Sequence, residues 1–506
     1  MNNKIKKVVI AGGGTSGWIT ANYLSQLIEQ VEIVLVESEE IGIIGVGEGT
    51  FPTIRRTMQA FGVDEQDLVN HCEATFKQAI KFVNWMKPQP GEENNFYYHL
   101  FDVPRKAPNL DLSIEWLKDQ SVGEFASSVS AQARNCDLRL SPRYPTDRQY
   151  ESEHNYAYHL DAKKMAAFLA KKAQEKGIQR IEGKIVSVSQ NAQGDISALH
   201  LESGQQIEGD LFVDCTGFKA LIIGETLNVP FESKADNLFV DHALTIQIPY
   251  ESEQQDIESA TITTAQTAGW IWDIGLQSRR GVGYVYSSKH ISHEAAKKEL
   301  CTYLGKDSSA ELDCRLVKMN VGYRREFWHK NCVSIGLAQG FLEPLESTAI
   351  VMIEAAAHYL LEKFPHDQQS MAVTAQRFND SFKERWDSIV DFVKLHYVLS
   401  DREEPFWVDN RKEQGIPTSL QDKLAGWKYH PPSEYDFSIN DIFAADSYSY
   451  ILYGMGYGTE TPINRLSSRP ERDIESFKSF LYGLSKDLPS HRSYINSVKQ
   501  FGIQKL

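Results

Sequence analysis

The stretch KKVVIAGGGTSGWITANYLSQL, residues 6–27, decides the fold class of this 506-residue chain. Its apolar run Val8–Ala11 predicts a buried strand, and residues 15–27 carry a helical pattern. The glycines between them fit the spacing GxGxxG, in which the first makes a tight turn, the second lets backbone approach a pyrophosphate and the third allows close helix–strand packing. The amino end of the helix faces the anion, so we expect a bound dinucleotide. Its expected contacts are Gly12, Gly14, Thr15, Ser16 and Gly17.

A second predicted strand, VEIVLVES at residues 31–38, contains Glu37, which lies 20 residues beyond Gly17. In this motif a carboxylate at that position accepts a hydrogen bond from a ribose hydroxyl of the nucleotide. An acid there indicates that the site does not bind a nucleotide with a 2′-phosphate. The glycine motif does not by itself separate NAD from FAD. The loop IGIIGVGEGTFPTI (41–54) and the strand and turn DLFVDCTGF (210–218) favour FAD, although the latter also fits an ordinary strand and turn. We therefore predict an α/β fold with a Rossmann-like FAD-binding module of the flavin monooxygenase type.

The net charge and the cysteine pattern argue against several classes of protein and of binding site. The formal net charge of −15 argues against binding to nucleic acid and against docking on anionic lipid. Six scattered cysteines form no CxxC pair, so neither disulfides nor a zinc site are expected, and a cytoplasmic location fits. No stretch approaches 18 uninterrupted apolar residues, so we expect no membrane span.

Five segments in a fixed order make the chain recognisable. It resembles the flavin-dependent halogenases of the tryptophan-halogenase group, and the Trp-x-Trp-x-Ile pattern is the most specific feature, although Gly275 stands where proline is usual. The segments are GGGTSGW (12–18), GVGEGTFP (45–52), FKQAIKFVNW (76–85), AGWIWDIG (268–275) and GFLEPLEST (340–348).

The resemblance implies a two-component reaction. FADH2, supplied by a separate flavin reductase, would react with O2 and a halide, chloride or bromide, to give hypohalous acid. That acid would pass through a tunnel to a lysine near the substrate, where an electron-rich aromatic carbon is halogenated. Further flavin contacts implied by the resemblance are Gly47, Glu48, Ile185, Leu337 and Ile350.

The resemblance assigns the catalytic amine to Lys77, in the pattern FKxxIKF, and gives no chemistry to Lys81. An amine in a partly apolar wall can polarise hypohalous acid through a hydrogen bond or form a haloamine, and both routes stay open. Without the resemblance, a lysine whose stem lies along the core and whose tip reaches water would be the plainer interpretation. Alternation favours a strand over 76–85 with both lysines on one face, although helical spacing also pairs them.

Glu346 matches the essential acid of the family, which accepts the ring proton or stabilises the ring cation. Glu343 does not match it, and an acid that merely favours a helix start is the structural alternative. The resemblance assigns halide binding to the backbone amides of Thr348 and Ala349. Glycine is usual at the second position, so alanine would be strained if a positive φ were needed there.

The substrate side is the least defined by the resemblance. The Trp270/Trp272 pair would screen the flavin from the substrate, and Phe443 can be matched to a substrate contact, but Ala444 stands where a tryptophan should follow. The residues expected to line the substrate or tunnel are His99, Phe101, Trp270, Trp272 and Phe443. Because no partners for the amino-acid zwitterion are recognisable, an indole-like or phenolic ring, or a larger substrate that carries one, is expected in place of free tryptophan. The alternatives are a flavin-dependent aromatic hydroxylase and a flavin-binding protein without catalysis.

The modules are expected to interleave along the chain. Residues 1–90, 155–230 and 325–365 are assigned to the FAD-binding module. Residues 91–154, 231–324 and 366–506 are assigned to a mainly helical substrate-binding module. A strong amphipathic helix is predicted over 158–177 and ends at Gly177. A monomer or a homodimer is expected.

Overall fold

The computed structural model describes residues 4–42, 45, 47–88, 91–92, 94–107, 110–307, 312–461 and 474–504. The chain forms two compact units, each assembled from three separate stretches. The first unit comprises Met1–Cys72, Leu160–Lys234 and Asn320–Trp386, and the second comprises Glu73–His159, Ala235–Met319 and Asp387–Leu506. Among the helices described, none is both long and apolar enough to cross a membrane.

The first unit is built on a six-stranded sheet, and the first five of its strands run parallel. Its central strands are buried apolar runs, as expected when helices cover both faces of a parallel sheet. In spatial order the strands are Gln179–Glu182, Glu32–Glu37, Lys7–Ala11, Leu211–Asp214, Cys332–Ser334 and the antiparallel Trp328–His329. The carboxyl ends of the parallel strands share one edge, so the expected α/β, Rossmann-like arrangement is confirmed.

Helices complete the first unit. The predicted amphipathic helix runs Ala162–Glu175, with the Asp161 carboxylate accepting a hydrogen bond from the Lys164 amide at its start. The described helices that lie wholly in this unit are Thr15–Leu24, Ile54–Ala60, Glu65–His71, Ala162–Glu175 and Thr348–Glu362. The long helix Gln368–Leu399 begins in this unit and ends in the second.

Two smaller sheets also belong to the first unit. One is antiparallel and packs apolar side chains such as Leu199 into the same buried core as Val9 and Phe212. Its strands are Ile185–Gln190, Ile196–Leu201 and Gln206–Glu208. The strands of the other are Phe231–Ser233, Gly322–Arg324 and Gly340–Phe341.

The second unit contains a seven-stranded sheet. The sequence-based expectation of a mainly helical module does not include it. All its pairings are antiparallel except that between Ala260–Gln266 and Ala79–Val83. In order its strands are Arg315–Lys318, His242–Pro249, Arg279–Tyr286, Gly269–Gly275, Ala260–Gln266, Ala79–Val83 and Phe96–Leu100. A separate antiparallel pairing joins Thr75–Lys77 to Ala157–Leu160.

The second unit contains a cluster of buried aromatic rings. Trp85 lies in it with Trp270, Tyr397 and Trp407, at ring-centroid distances of 6.5, 5.4 and 5.2 Å. The described helices are Leu112–Lys118, Phe125–Val129, Gln132–Asp137, His293–Tyr303, Pro405–Asn410, Thr418–Trp427, Ala445–Gly454, Ile474–Leu484 and His491–Phe501.

Candidate active site

The glycine loop of the first unit has the geometry that its sequence predicts. Gly12 has φ of +104°, and a Cβ there would lie 2.3 Å from the carbonyl oxygen of Cys215. A Cβ at Gly17 would lie 1.9 Å from the carbonyl oxygen of Gly12, whereas one at Gly14 would meet nothing within 4 Å. The turn and the helix–strand contact therefore require glycine, and the middle position leaves open space at the start of helix Thr15–Leu24. Such space suits a pyrophosphate.

Glu37 ends its strand beside this loop. The Arg180 guanidinium donates a hydrogen bond from Nε to Oε1 of Glu37 at 2.6 Å, and that bond raises the pKa of Arg180. The other carboxylate oxygen lies over Gly13, where a Cβ would come within 1.6 Å of it. The carboxylate is thus held at the strand end, the position from which it could accept a ribose hydroxyl.

The last strands of the parallel sheet bring two more segments to the same edge. Asp214 is fully buried and accepts hydrogen bonds from the amides of Ile222 and Ile223, which fixes the turn that follows it. A Cβ at Gly336 would lie 2.8 Å from Cβ of Ser16, so Leu337 follows a residue in contact with the glycine loop. The start of helix Thr15–Leu24, the open space at Gly14 and the carboxylate of Glu37 lie at this edge, and together they fit a dinucleotide such as FAD.

Three of the remaining residues expected to contact the flavin are Glu48, Gly47 and Ile185, and they lie in two different places in the first unit. Burial, with a smaller contribution from the Asp161 charge, raises the pKa of Glu48 to about 7. Gly47 precedes it with φ of +144°. Ile185 begins a strand and packs its side chain against the apolar core.

The segment that contains Glu346 ends in a short 3-10 turn, Pro344–Glu346, just before helix Thr348–Glu362. The left-handed residue is Ser347, with φ of +56°, and Ala349 does not share that conformation. Alanine at this position is therefore unstrained. Its amide and that of Thr348 lie in the first turn of the helix, where backbone donors and the helix dipole favour an anion. Ile350 is buried one residue later.

Glu346 and Glu343 are both almost fully buried, so burial alone does not separate the assigned acid from its neighbour. Both belong to the first unit, whereas Lys77 belongs to the second.

Lys77 is fully buried at the end of strand Thr75–Lys77, with its Nζ 5.1 Å from the centroid of the Phe101 ring. Lys81 lies in a different strand and a different sheet, so the expectation that one strand face carries both lysines is wrong. The strand breaks at Gln78, whose amide donates a hydrogen bond to the Ser259 carbonyl. The Lys81 amine is paired with Asp137 at 3.2 Å, so the two lysines occupy unlike surroundings.

Two buried histidines near Lys77 were not singled out from the sequence. The Phe76 amide donates a hydrogen bond to Nε2 of His491 at 2.8 Å, and burial lowers the pKa of this histidine to about 4. Burial, followed by the charges of Lys77 and His491, holds the pKa of His159 well below its usual range. Both reach this position through strand pairing and a helix from the end of the chain, which no local sequence signal reveals.

A turn after strand Phe96–Leu100 holds Phe101. Oε1 of Gln132 accepts hydrogen bonds from the amides of Phe101 and Asp102 at 2.9 and 2.7 Å. The side-chain amide of Asn155 donates to the Phe101 carbonyl at 3.0 Å, and His154 bonds the Asp102 carboxylate at 2.8 Å. The ring beside Lys77 is therefore fixed by residues that the sequence alone did not point to.

The expected substrate residues fall into two aromatic groups within the second unit. His99 lies 5.5 Å from the ring of Phe392 and 6.0 Å from that of Phe443, which stacks on Phe392 at 3.8 Å. Trp270 is buried and donates an indole hydrogen bond to the Tyr397 hydroxyl, whereas Trp272 is only half-buried. A Cβ at Gly283 would meet the Trp272 ring at 2.1 Å, so that glycine makes room for it.

Comparisons with known proteins agree along nearly the whole chain. Residues 7–471 match a family model described as tryptophan halogenase. Tryptophan 6-halogenase ThaL of Streptomyces albogriseolus is 34% identical over 505 residues, 94% of each chain. A solved tryptophan halogenase from Shewanella frigidimarina superposes with a TM-score of 0.95 at 40% identity, over 99% of each chain. Tar14, a tryptophan C-6 flavin-dependent halogenase from taromycin biosynthesis, has a TM-score of 0.90 at 33% identity, over 98% of this chain and all of that one.

Proposed function

The chain belongs to the tryptophan-halogenase family and is a flavin-dependent halogenase, and on that premise we propose how its residues divide the reaction. Lys77 receives the oxidised halogen, Glu346 acts on the aromatic ring, and the glycine loop at residues 12–17 holds FAD. The observation that carries this assignment is the fully buried amine of Lys77 beside an aromatic ring, in the segment FKQAIKFVNW that resembles the family.

Reduced FAD, when bound together with O2, supplies the oxidising power that turns halide into hypohalous acid. The open space at Gly14 receives its pyrophosphate, and the carboxylate of Glu37, held by Arg180, accepts a ribose hydroxyl. A separate reductase supplies the reduced flavin, because the sequence has no second nucleotide-binding repeat for NAD(P)H. The same proposal places the enzyme in the cytoplasm, as a monomer or homodimer.

The surroundings of Lys77 suit a group that handles a reactive electrophile. Burial removes competing water, and the face of the Phe101 ring favours a cation at the amine. From this position the amine can hydrogen-bond hypohalous acid or take its halogen. Lys81 is only half-buried and forms a partly exposed ion pair with Asp137, so its amine is not shielded from water in the same way.

The Glu346 segment has two roles. The carboxylate of Glu346 accepts the ring proton that is lost when the halogenated cation returns to aromaticity. The amides of Thr348 and Ala349, in the first turn of a 15-residue helix, hold the halide. Because the left-handed φ lies at Ser347, alanine at 349 is compatible with this role.

We infer that the substrate is an indole-like ring and that free tryptophan is a poor substrate, although several relatives are named for tryptophan. Burying a zwitterion requires partners for both its carboxylate and its ammonium. Phe443 is stacked on Phe392, and the following residue, Ala444, is exposed where an aromatic side chain was expected. The rings of this group offer apolar contact to a planar aromatic and no charge pairing.

The test supplies enzymatically reduced FAD, O2 and bromide with either indole or free tryptophan. We expect the paired-isotope mass of monobrominated indole, with slower turnover of tryptophan and no product when bromide is omitted. An oxygenated product without bromine would support a hydroxylase and overturn the proposal. Tryptophan brominated faster than indole would refute the substrate assignment while leaving the halogenase intact.

A further inference from the structure

His159 shares a strand face with Lys77. In the antiparallel pair formed by Thr75–Lys77 and Ala157–Leu160, Thr75 lies opposite His159 and Lys77 lies opposite Ala157. Residues directly opposite one another point to the same side of the sheet, as do residues two apart along one strand. Lys77 and His159 are therefore diagonal neighbours, which in antiparallel sheets typically lie about 7–8 Å apart, within reach of long side chains.

The imidazole of His159 is fully buried and has only one hydrogen-bond partner within the described part of the chain. Nε2 lies 2.8 Å from the Thr261 hydroxyl, and Nδ1 is without a hydrogen bond there. The charged and titratable groups that face it are Lys77 from the neighbouring strand and His491 from the helix packed against that strand. Burial lowers the pKa of His159 most, and these two groups lower it further. When Nε2 carries the proton and donates it to Thr261, Nδ1 is left as an acceptor on a ring that shares its strand face with Lys77.

We propose that His159 accepts the proton that the Lys77 amine must lose when it takes up halogen. The inference rests on the proposed role of Lys77 and extends it to a residue that positions and buffers the amine's proton. It also favours formation of a haloamine over hydrogen bonding of intact hypohalous acid. Only transfer of halogen to nitrogen requires the ammonium to be deprotonated.

The step balances with the groups present and hypohalous acid. The ammonium of Lys77 gives one proton to the imidazole of His159. The freed lone pair attacks the halogen, so a nitrogen–halogen bond forms as the oxygen–halogen bond breaks, and a second amine proton leaves with the hydroxide as water. The halogen keeps its oxidation state. When the aromatic carbon takes the halogen, the electron pair of the broken bond stays on nitrogen, and His159 returns its proton to give the neutral amine of Lys77. A proton from solvent then restores the ammonium, and the ring proton passes to Glu346.

The arrangement couples the charge of the two groups. Burial first, and then the ammonium charge of Lys77, hold the pKa of His159 low, so the imidazole is neutral and able to accept a proton. Transfer of the proton to His159 leaves the Lys77 nitrogen neutral and so removes that repulsion, and halogenation then keeps the nitrogen neutral while His159 holds the proton. Two cations are thus never required together in a buried site, where the free-energy cost would be high.

The first test compares His159→Asn and His159→Gln with the parent. We expect kcat for indole bromination to fall by about 10²-fold, as for loss of an acid–base group, with KM little changed. Bromination of monochlorodimedone, which traps released hypohalous acid, should stay at the parental level. The remaining activity should rise with pH as solvent base replaces the imidazole. The control is His290→Asn, which removes a histidine paired with Asp409 and should leave kcat unchanged.

Bromination by both His159 variants at the parental rate with the parental pH profile would overturn the inference while leaving the proposed function in place. Equal loss of bromination and of hypohalous acid would indicate a structural role and overturn it too. A parent that forms neither product nor hypohalous acid from bromide would instead refute the proposed function.

A second test needs no cofactor and remains informative if the His159 variants do not fold. In protein labelled with ¹³C at histidine, we expect the His159 ring to stay neutral between about pH 5 and pH 8 in the parent. In Lys77→Met, where the neighbouring charge is gone, its titration midpoint should move upwards. A midpoint that is the same in both proteins would show that the two groups are not coupled and would overturn the inference.

Discussion

At the scale of single residues, two lysines four positions apart have opposite surroundings. Lys77 is fully buried beside Phe101, whereas Lys81 is half-buried, paired with Asp137 and placed 3.8 Å from the Phe96 ring centroid. Strand pairing produces this difference, because the chain leaves one sheet and enters another between them. Each lysine therefore serves as a control for the other.

Replacing Lys77 by Met should lower kcat for bromination by at least about 10²-fold, since the amine acts directly on the reactive halogen. Methionine fills most of the same apolar space, so the thermal midpoint should change little. Lys81→Met removes only a partly exposed ion pair and should retain most of the activity. Product formation followed by mass spectrometry measures the activity of both variants, and circular dichroism melting curves measure their thermal midpoints. Equal rates for the two variants would contradict the assignment.

The two buried glutamates of the EPLEST segment make a second matched pair. Glu346→Gln should reduce bromination about 10²-fold because an amide cannot take the ring proton. Glu343→Gln has the same shape change and comparable burial, and a smaller loss is expected. Steady-state kinetics on both variants test this, and the reverse order would move the catalytic role to Glu343.

At the scale of elements, the glycine loop separates packing from ligand binding. Gly17→Ala would place Cβ 1.9 Å from the Gly12 carbonyl oxygen, so we expect a loss of about 1–3 kcal/mol in unfolding free energy. Gly14→Ala meets no protein atom within 4 Å and should leave stability nearly unchanged while weakening FAD binding. Chemical denaturation and flavin fluorescence titration distinguish the two effects. Tight FAD binding by Gly14→Ala would argue against a pyrophosphate at that position.

Elements with local signals could be predicted from the sequence, whereas contacts between residues far apart along the chain could not. The strand, glycine turn and helix at residues 7–24 were predicted because their signals are local and consecutive. The break at Gln78 was missed because it depends on Ser259, far along the chain. His159 was missed for the same reason, since its place beside Lys77 follows from strand register. The roles of these site residues remain predictions for the experiments above to decide.

At the scale of the whole molecule, a buried acid makes stability depend on pH. Glu354, on the helix that begins with Thr348, is hydrogen-bonded by the Thr53 hydroxyl, and burial raises its pKa from 4.5 to about 7. Between these values the folded state binds more protons than the unfolded state, so stability falls as pH rises from about 4.5 to about 7 and then levels off. The loss from this one group is at most about 3 kcal/mol.

The variant Glu354→Gln has an amide in place of the carboxyl group, so it does not titrate at this position. We expect the variant to gain stability relative to the parent as pH rises through that window, with the difference constant above pH of about 7. Urea unfolding of the flavin-free proteins at several pH values measures it. A difference in unfolding free energy that is the same at acid and neutral pH would show that Glu354 is not held protonated.

The division of each unit among three stretches has a consequence for synthesis on the ribosome. The parallel sheet of the first unit receives Cys332–Ser334 as its fifth strand, and that unit's last stretch ends at Trp386. A nascent chain that has exposed only its first three hundred or so residues holds a glycine turn and four strands whose outer edge is still unpaired. The enzyme must therefore acquire its shape late in translation, and chaperone dependence should be strongest in the interval before residue 386 emerges.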